Sequence, residues 1–416
     1  MQHQPLTVPA VRVMLPFCFG YMLSYFSRNI TAILAEDFSM EFAISANSLG
    51  LLTSAYFLAF ALCQIPLGVL LDKFSPARTE AVFLSVAAIG ALLSALAQEA
   101  VVLSLGRIMM GFGVSACLMA SYRAIVDYFP KHQIPLLNSV VLVFGGLGAL
   151  LSGWPPTASF AESFGWRNIF FGLALCFALC IVLLVVIVPL PERLRKAAEP
   201  EEGESLSLLN GIIEIAGSKH FWHIMPAAAM TQGMLLAISS LWVVPWLMHT
   251  DGFTLEQTSI LLVFISAAMV VGQLLAGWLG TQAGGTIPAL RKLFLVGVII
   301  AVASVLLIST RPNIPTILLW LSFTLFAPFT MLAYPMLVQK FPPEYAGRVI
   351  TLLNFAVFAC AFIFQWMIGA IIGAIPSNSL AVDFIRFQIA FGAPAALCLL
   401  GILSMVIIEA LSEDSL

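Results

Sequence analysis

Twelve times along the chain, an apolar run long enough to cross a bilayer gives way to a short polar break. That alternation constrains the fold more than any other feature of the sequence. A membrane span needs about 20 apolar residues, and 416 residues accommodate twelve such runs plus one longer break after Pro191. Inside hydrocarbon every backbone N–H and C=O must find its partner within the segment, so runs of this kind fold as helices. Composition agrees: 61% of residues are hydrophobic and 9% charged, where a soluble domain carries about 25% charged. The runs cover 11–34, 48–71, 80–97, 101–128, 134–155, 166–188, 222–248, 256–279, 290–309, 316–338, 349–372 and 384–408. No small-residue cleavage site follows the first run, and Arg28 lies inside it, so it reads as a retained helix and not as a removable signal.

The expected fold is therefore an all-α membrane protein with twelve transmembrane helices in two pseudo-symmetric six-helix bundles. The boundaries are 1–190 for the first bundle, 191–220 for a linker and 221–416 for the second. The linker opens with PERLRKAAEPEEGES, the one strongly charged run, which reads as solvated chain. Leu206, Leu209, Ile212, Ile213 and Ala216 then recur at helical spacing, which predicts a helix lying on the membrane surface. A repeat supports the division: Tyr128-Phe129-Pro130-Lys131 closes the fourth run and Lys340-Phe341-Pro342-Pro343 closes the tenth, 212 residues apart. Of the 18 Lys and Arg residues, twelve flank the spans on one side, three flank them on the other, and three lie within them. By the positive-inside rule both termini and the linker are cytoplasmic, in a multi-pass protein of, we expect, a bacterial inner membrane.

The turn between the second and third runs is unusually short. Gln64 to Arg78 reads QIPLGVLLDKFSPAR, with Gly68 one helical turn before Asp72. This stretch resembles the loop signature of the major facilitator superfamily, roughly G-x-L-x-D-[RK]-x-G-x-[RK]. It is met here by Gly68, Leu70, Asp72, Lys73 and, one place late, Arg78, with Ser75 where the second glycine is expected. Gly106-Arg107-Ile108-Met109-Met110-Gly111-Phe112-Gly113 is similar to the family's fourth-helix motif, R-x-x-x-G-x-G. The counterpart of the loop in the second half, Gly277-Trp278-Leu279-Gly280-Thr281-Gln282, has no acidic residue. The resemblance implies two bundles that rock around a mid-membrane site, with the first helix of each three-helix unit lining the cavity. It also implies a conformational role for Gly68, Asp72, Lys73, Arg78 and Asp127, and a coupling role for Arg107. Since the usual first-helix acid is absent, packing of the first helix on the fourth through Arg107 is an equal alternative.

The chemistry follows from three arginines inside the spans, Arg28, Arg107 and Arg123. Every Asp and Glu falls at a span end or in a loop, so no mid-membrane carboxylate is expected. Buried charge is expensive and usually faces a cavity or a partner. Arg28, with Tyr25 and Asn29 on the same helix face, reads either as an anion contact or as a guanidinium snorkelling to the outer interface. The lack of an internal acid favours the first. Arg123 and Asp127, four apart, are placed to pair, and Tyr122 is expected beside the cavity. By family analogy Gln232, Trp242 and Tyr334 join the substrate-binding set, each with packing as its alternative.

Catalysis has no footing here. The sequence holds no phosphate loop, zinc signature or nucleophile elbow. The seven cysteines all fall in apolar runs, and the histidines lie at or beyond span edges. No catalytic residue, metal, cofactor or nucleic-acid partner is therefore expected. The resulting reading is a monomeric secondary transporter working by alternating access. It imports a small anionic metabolite bearing carboxylate or phosphate, a carboxylate siderophore among the options, with proton coupling and with lipid around it. The alternatives are an exporter of amphipathic compounds and a transporter-like sensor that moves nothing.

Overall fold

The computed structural model describes residues 10–130, 133–191, 204–310, 314–342, 345–375 and 380–413. The charged run at 192–203 lies outside the described residues, as does the side chain of Asp72. Twelve long helices succeed one another: α1 (Ala10–Ile33), α2 (Ala46–Lys73), α3 (Pro76–Ala95), α4 (Ala100–Tyr128), α5 (Ile134–Gly153) and α6 (Trp166–Ile187) form one series. The second series is α7 (Lys219–His249), α8 (Leu255–Gln282), α9 (Ile287–Thr310), α10 (Thr316–Val338), α11 (Ala346–Ala374) and α12 (Leu380–Glu413). Among the described residues, eleven helices are long and apolar enough to cross a membrane. The exception is α1, whose run is interrupted by Ser24, Ser27, Arg28 and Asn29, yet it packs against α5, α6 and α4 inside the bundle. The chain is a multi-pass membrane protein.

Its surface is turned inside out relative to a soluble fold. Leu175, Leu179, Val182 and Val186 of α6 stand exposed, as do Leu400 and Ile407 of α12, which is the pattern of a helix that is apolar all round and meets lipid. Small residues close the helix contacts. A Cβ on Gly90 of α3 would lie 2.7 Å from the carbonyl oxygen of Gly106 in α4, so these two backbones touch only because side chains are missing. The hydroxyls of Thr53 and Ser94 donate to carbonyls one turn back, at 2.7 and 2.9 Å, satisfying themselves without water. Outside the apolar layer, caps take over: Thr254 and Gln257 form a reciprocal capping box at the start of α8.

Several boundaries differ from those read in the sequence, and one difference matters. Pro76 occupies the first turn of α3, so the helix begins straight after Ser75. The sequence placed the start at residue 80. Glu80 is accordingly a full turn inside α3 and completely buried, where the sequence reading put it at the edge of the span. The predicted helix after the linker exists as Glu204–Gly217; Ile215 in it is buried while Ile213 is exposed. Glu214 there accepts a hydrogen bond from the Tyr345 hydroxyl at 2.7 Å, and the side chain of Arg348 lies against Gly211, which docks this helix on α11.

The two helix series meet along α2 with α11, α5 with α8, and α1 with the middle of α7. Three of the helices that border the central space are irregular. The α4 helix breaks at Ser115–Ala116, α7 contains a π-turn at Ile238–Trp242, and α10 tightens to 3-10 geometry at Ala327–Leu332. The breaks in α4 and α10 begin 212 residues apart, the same offset as the repeated Phe-Pro pair. Departures of this kind are frequent at functional sites. The bundle has two ends: the turn end, which bears the α2–α3 turn, and the far end opposite it.

Candidate functional site

A cavity of about 380 Å³ lies between the two helix series, bordered by α1, α2, α4 and α5 on one side and α7, α8, α10 and α11 on the other. Most of its wall is aromatic or aliphatic, from Phe60, Val114, Leu118 and Met119 to Leu236, Met331, Val357 and Phe358. The one charged residue among those lining it is Arg28. Arg28 is 3% exposed, and its guanidinium carbon sits 4.7, 5.2 and 5.4 Å from the ring centres of Tyr25, Phe358 and Phe60. Aromatic faces attract a cation without neutralising it. No carboxylate pairs with Arg28 among the described residues, and its Nε has no hydrogen-bond acceptor.

A second arginine fixes the first in place. Arg107 of α4, 2% exposed, donates from Nη1 to the Ser27 carbonyl at 2.7 Å. It therefore holds the α1 backbone at the residue before Arg28, while its guanidinium lies 4.8 Å from the Tyr56 ring centre. The Tyr56 hydroxyl donates to the Ser24 carbonyl at 3.3 Å, so α1, α2 and α4 are tied together around the cationic centre. This geometry is that of an arginine orienting α1 on α4.

Opposite Arg28 runs a chain of neutral polar groups. The Tyr334 hydroxyl donates to Asn354 Oδ1, and Asn354 Nδ2 donates to Gln64 Oε1 at 3.4 Å. Gln64 Nε2 has no acceptor. Thr330 donates to Gln232 Oε1, and Gln273 of α8 also faces the space. The cavity thus offers one cation, several amide and phenol groups, and wide apolar walls. Such a set suits an anionic head group on an organic body.

Of the residues singled out in the sequence, Tyr25, Arg28, Tyr122, Gln232 and Tyr334 line this one cavity. The structure places three others elsewhere. Asn29 borders a separate recess of about 20 Å³ with Ser152, Ser239 and Thr324. Arg123 turns along its own helix to Asp127, Nε to Oδ1 3.3 Å. Trp242, 2% exposed, donates its indole N–H to the Gln365 carbonyl at 2.9 Å. Trp242 stands ten residues after Gln232, which in a helix of 3.6 residues per turn is about 80° away from its direction, so it does not share the face that Gln232 turns to the cavity. Lys73 and Arg78 are exposed at the turn end, and a Cβ on Gly68 would lie 4.0 Å from Thr351 of α11.

Sequence reasoning passed over Gln64, Phe60 and Phe358. A signal for Gln64 was present: it lies 209 residues before Gln273, the offset that also relates Gly68 to Gly277. Also unforeseen is the closure at the far end. Gln365 of α11 donates from Nε2 to Thr53 Oγ1 at 2.6 Å and accepts from Ser240 at 2.9 Å, while Trp366 donates to Asn47 Oδ1 at 3.0 Å. These bonds join α2, α7 and α11 across the two series.

Residues 17–365 match the profile of the Major Facilitator Superfamily. The chain is 22% identical over 275 residues to the probable sulfoacetate transporter SauU of Cupriavidus necator, covering 64% of this chain and 63% of that one. It is 24% identical over 297 residues to the phosphoglycerate transporter protein of Salmonella typhimurium, covering 65% of this chain and 63% of the relative. The alignments therefore span less than two thirds of these relatives. The fold is similar to the crystal structure of a bacterial homolog of the human lysosomal transporter Spinster, inward-facing and unoccupied. That match has a TM-score of 0.74 at 16% identity and covers 96% of this chain and 97% of that one.

Proposed function

This chain belongs to the Major Facilitator Superfamily, and from that premise we propose that it is a secondary carrier importing a small organic anion by alternating access, coupled to protons. The observation that carries this reading is Arg28: a guanidinium on the wall of a central cavity, ringed by aromatic faces and paired with no carboxylate among the described residues. A buried cation of this kind gains most from a ligand that brings the missing charge. One guanidinium matches one anionic head, whether carboxylate, sulfonate or phosphate ester, and the aromatic walls match an organic remainder. Two relatives carry names that refer to anions, sulfoacetate and phosphoglycerate, which is in keeping with this substrate class.

In the proposed cycle the bonds of Gln365 and Trp242 hold the far end shut, and the turn-end groups Gly68, Asp72, Lys73, Arg78 and Asp127 act in the complementary closure. Lys and Arg placement assigns the turn end to the cytoplasm, in a bacterial inner membrane. The test uses purified protein and a panel of monocarboxylates, sulfonates and phosphate monoesters, each set beside its neutral amide or alcohol. Thermal stabilisation by anions but not by their neutral counterparts, with accumulation of the same anions in proteoliposomes, is the expected result. Stabilisation by cationic amphiphiles alone would replace this reading with export of amphipathic compounds. Binding without accumulation would replace it with sensing.

A further inference from the structure

Beside the cavity, but off its wall, a carboxyl group lies enclosed where four helices of the first half meet. Glu80 of α3 is 0% exposed. Neither of its oxygens has a hydrogen bond of ordinary geometry among the described residues, and Cys117 offers it at most a weak thiol contact. Among the described residues, the titratable groups facing it are the thiols of Cys18 on α1, Cys117 on α4 and Cys180 on α6, and no cation is among them. Against α1 it fits closely: a Cβ on Gly20 would overlap Glu80 Oε1, so the absent side chain at Gly20 makes the room that the carboxyl occupies.

An ionised carboxylate in such a place would have no counter-charge and at most a thiol as donor, at a cost of several kcal/mol. The carboxylic acid carries no such penalty. For the group to ionise it must meet water, and water reaches it only if α1, α3, α4 and α6 part. Arg107 ties α1 to α4 at Ser27, on the far-end side of the α4 break, so the parting is confined to the turn-end side, at the level of Gly20. Gly20 leaves α1 smooth at that level, and α4 is broken at Ser115–Ala116, immediately before Cys117. The same two helices carry the cavity residues Tyr25 and Arg28, and Ser115 and Tyr122.

We propose that Glu80 is a proton-binding site of the carrier: protonated in the arrangement seen here, it gives up its proton only when α1 and α4 separate, and so ties proton release to a change in the cavity wall. The proposal rests on the carrier reading only in that the cavity wall rearranges during transport, and adds a movement within the first half, of α1 against α4. By linkage, a rearrangement that favours proton release is itself favoured by raising the pH.

The experiment uses the full-length protein in liposomes without any anion. Infrared difference spectra of wild type and Glu80→Gln are recorded in the acid-carbonyl region as pH is stepped upward, together with alkylation of Cys117 by a membrane-permeant maleimide. A carbonyl band present at neutral pH in wild type and missing in Glu80→Gln is expected. It should fade at higher pH as Cys117 labelling rises several-fold above that of the variant. No band difference at neutral pH would overturn the proposal, because the group would already be ionised. A band that persists over the whole pH range in which the protein stays folded would overturn it too, as would fading with Cys117 labelling equal in both proteins. If Glu80→Gln does not assemble, Glu80→Asp displaces the band and the same outcomes apply. Since no anion is present, this result and the anion screen stand or fall separately.

Discussion

Replacing Arg28 by methionine should push ligand binding and resting stability in different directions. Methionine keeps an unbranched chain among Tyr25, Phe60 and Phe358 and removes the charge. In the empty protein the change gives up contacts between a cation and three rings, about 0.5–2 kcal/mol each. It also relieves the penalty of holding an unpaired ion away from water, still several kcal/mol per ion after relaxation. These terms are of similar size, so the melting temperature of the empty protein should hold or rise. Binding is another matter. A hydrogen bond to a charged group contributes about 1.5–3 kcal/mol, and every 1.4 kcal/mol is about tenfold in Kd, so anion affinity should fall by about ten- to a hundredfold. Titration calorimetry of both proteins with the best anion of the panel, alongside melting of each without ligand, reads both quantities. A variant that melts several degrees lower yet binds the anion as well as wild type would refute the argument and leave Arg28 a packing residue.

Further outcomes rest on contacts already described. Gln365→Leu removes the bonds to Thr53 and Ser240, at about 1 kcal/mol each, and should raise alkylation of a cysteine placed at Asn47 by about thirtyfold. Unchanged labelling would show that these bonds do not hold the far end closed. Gly90→Ala forces a methyl group to within 2.7 Å of the Gly106 carbonyl and should cost about 1–3 kcal/mol, seen as a lower melting temperature. At the far end, outside the spans, Glu41 is hydrogen-bonded by Arg167 and Trp166, which holds its carboxyl below the ordinary value of 4.5. Its stabilising effect is present above that value and is lost as pH falls below it. Glu41 and Arg167 are each about a third exposed or more, so the effect is about 0.2–1 kcal/mol, and Glu41→Gln should flatten the acid limb of a melting-temperature profile by that small amount.

How far the sequence could be read depended on whether a property is local. Apolar runs are local, and the helices were legible from them. Arg28 stands out in any reading because a charge amid twenty apolar residues has few explanations. Glu80 does not, since a carboxylate near the edge of a run reads as the edge; only Pro76, which starts α3 at once, puts it inside. Trp242 rests on family analogy alone; ten residues after Gln232, it falls off that residue's helix face. Phe60 and Phe358, stacked at 3.9 Å across the two halves, are far apart in the chain, and neither sequence neighbourhood carries a trace of the other.

The interruptions of α4 and α10 bear on how the proposed carrier would respond to a cargo. They stand at matching positions in the two repeats, each inside a helix that borders the chamber, so an arriving solute meets an elbow on either side at similar depth. Tightening about a small guest then takes only a bend of these elbows, while the long outer helices keep their seat in the lipid. A bulkier guest would need the whole bundles to swing.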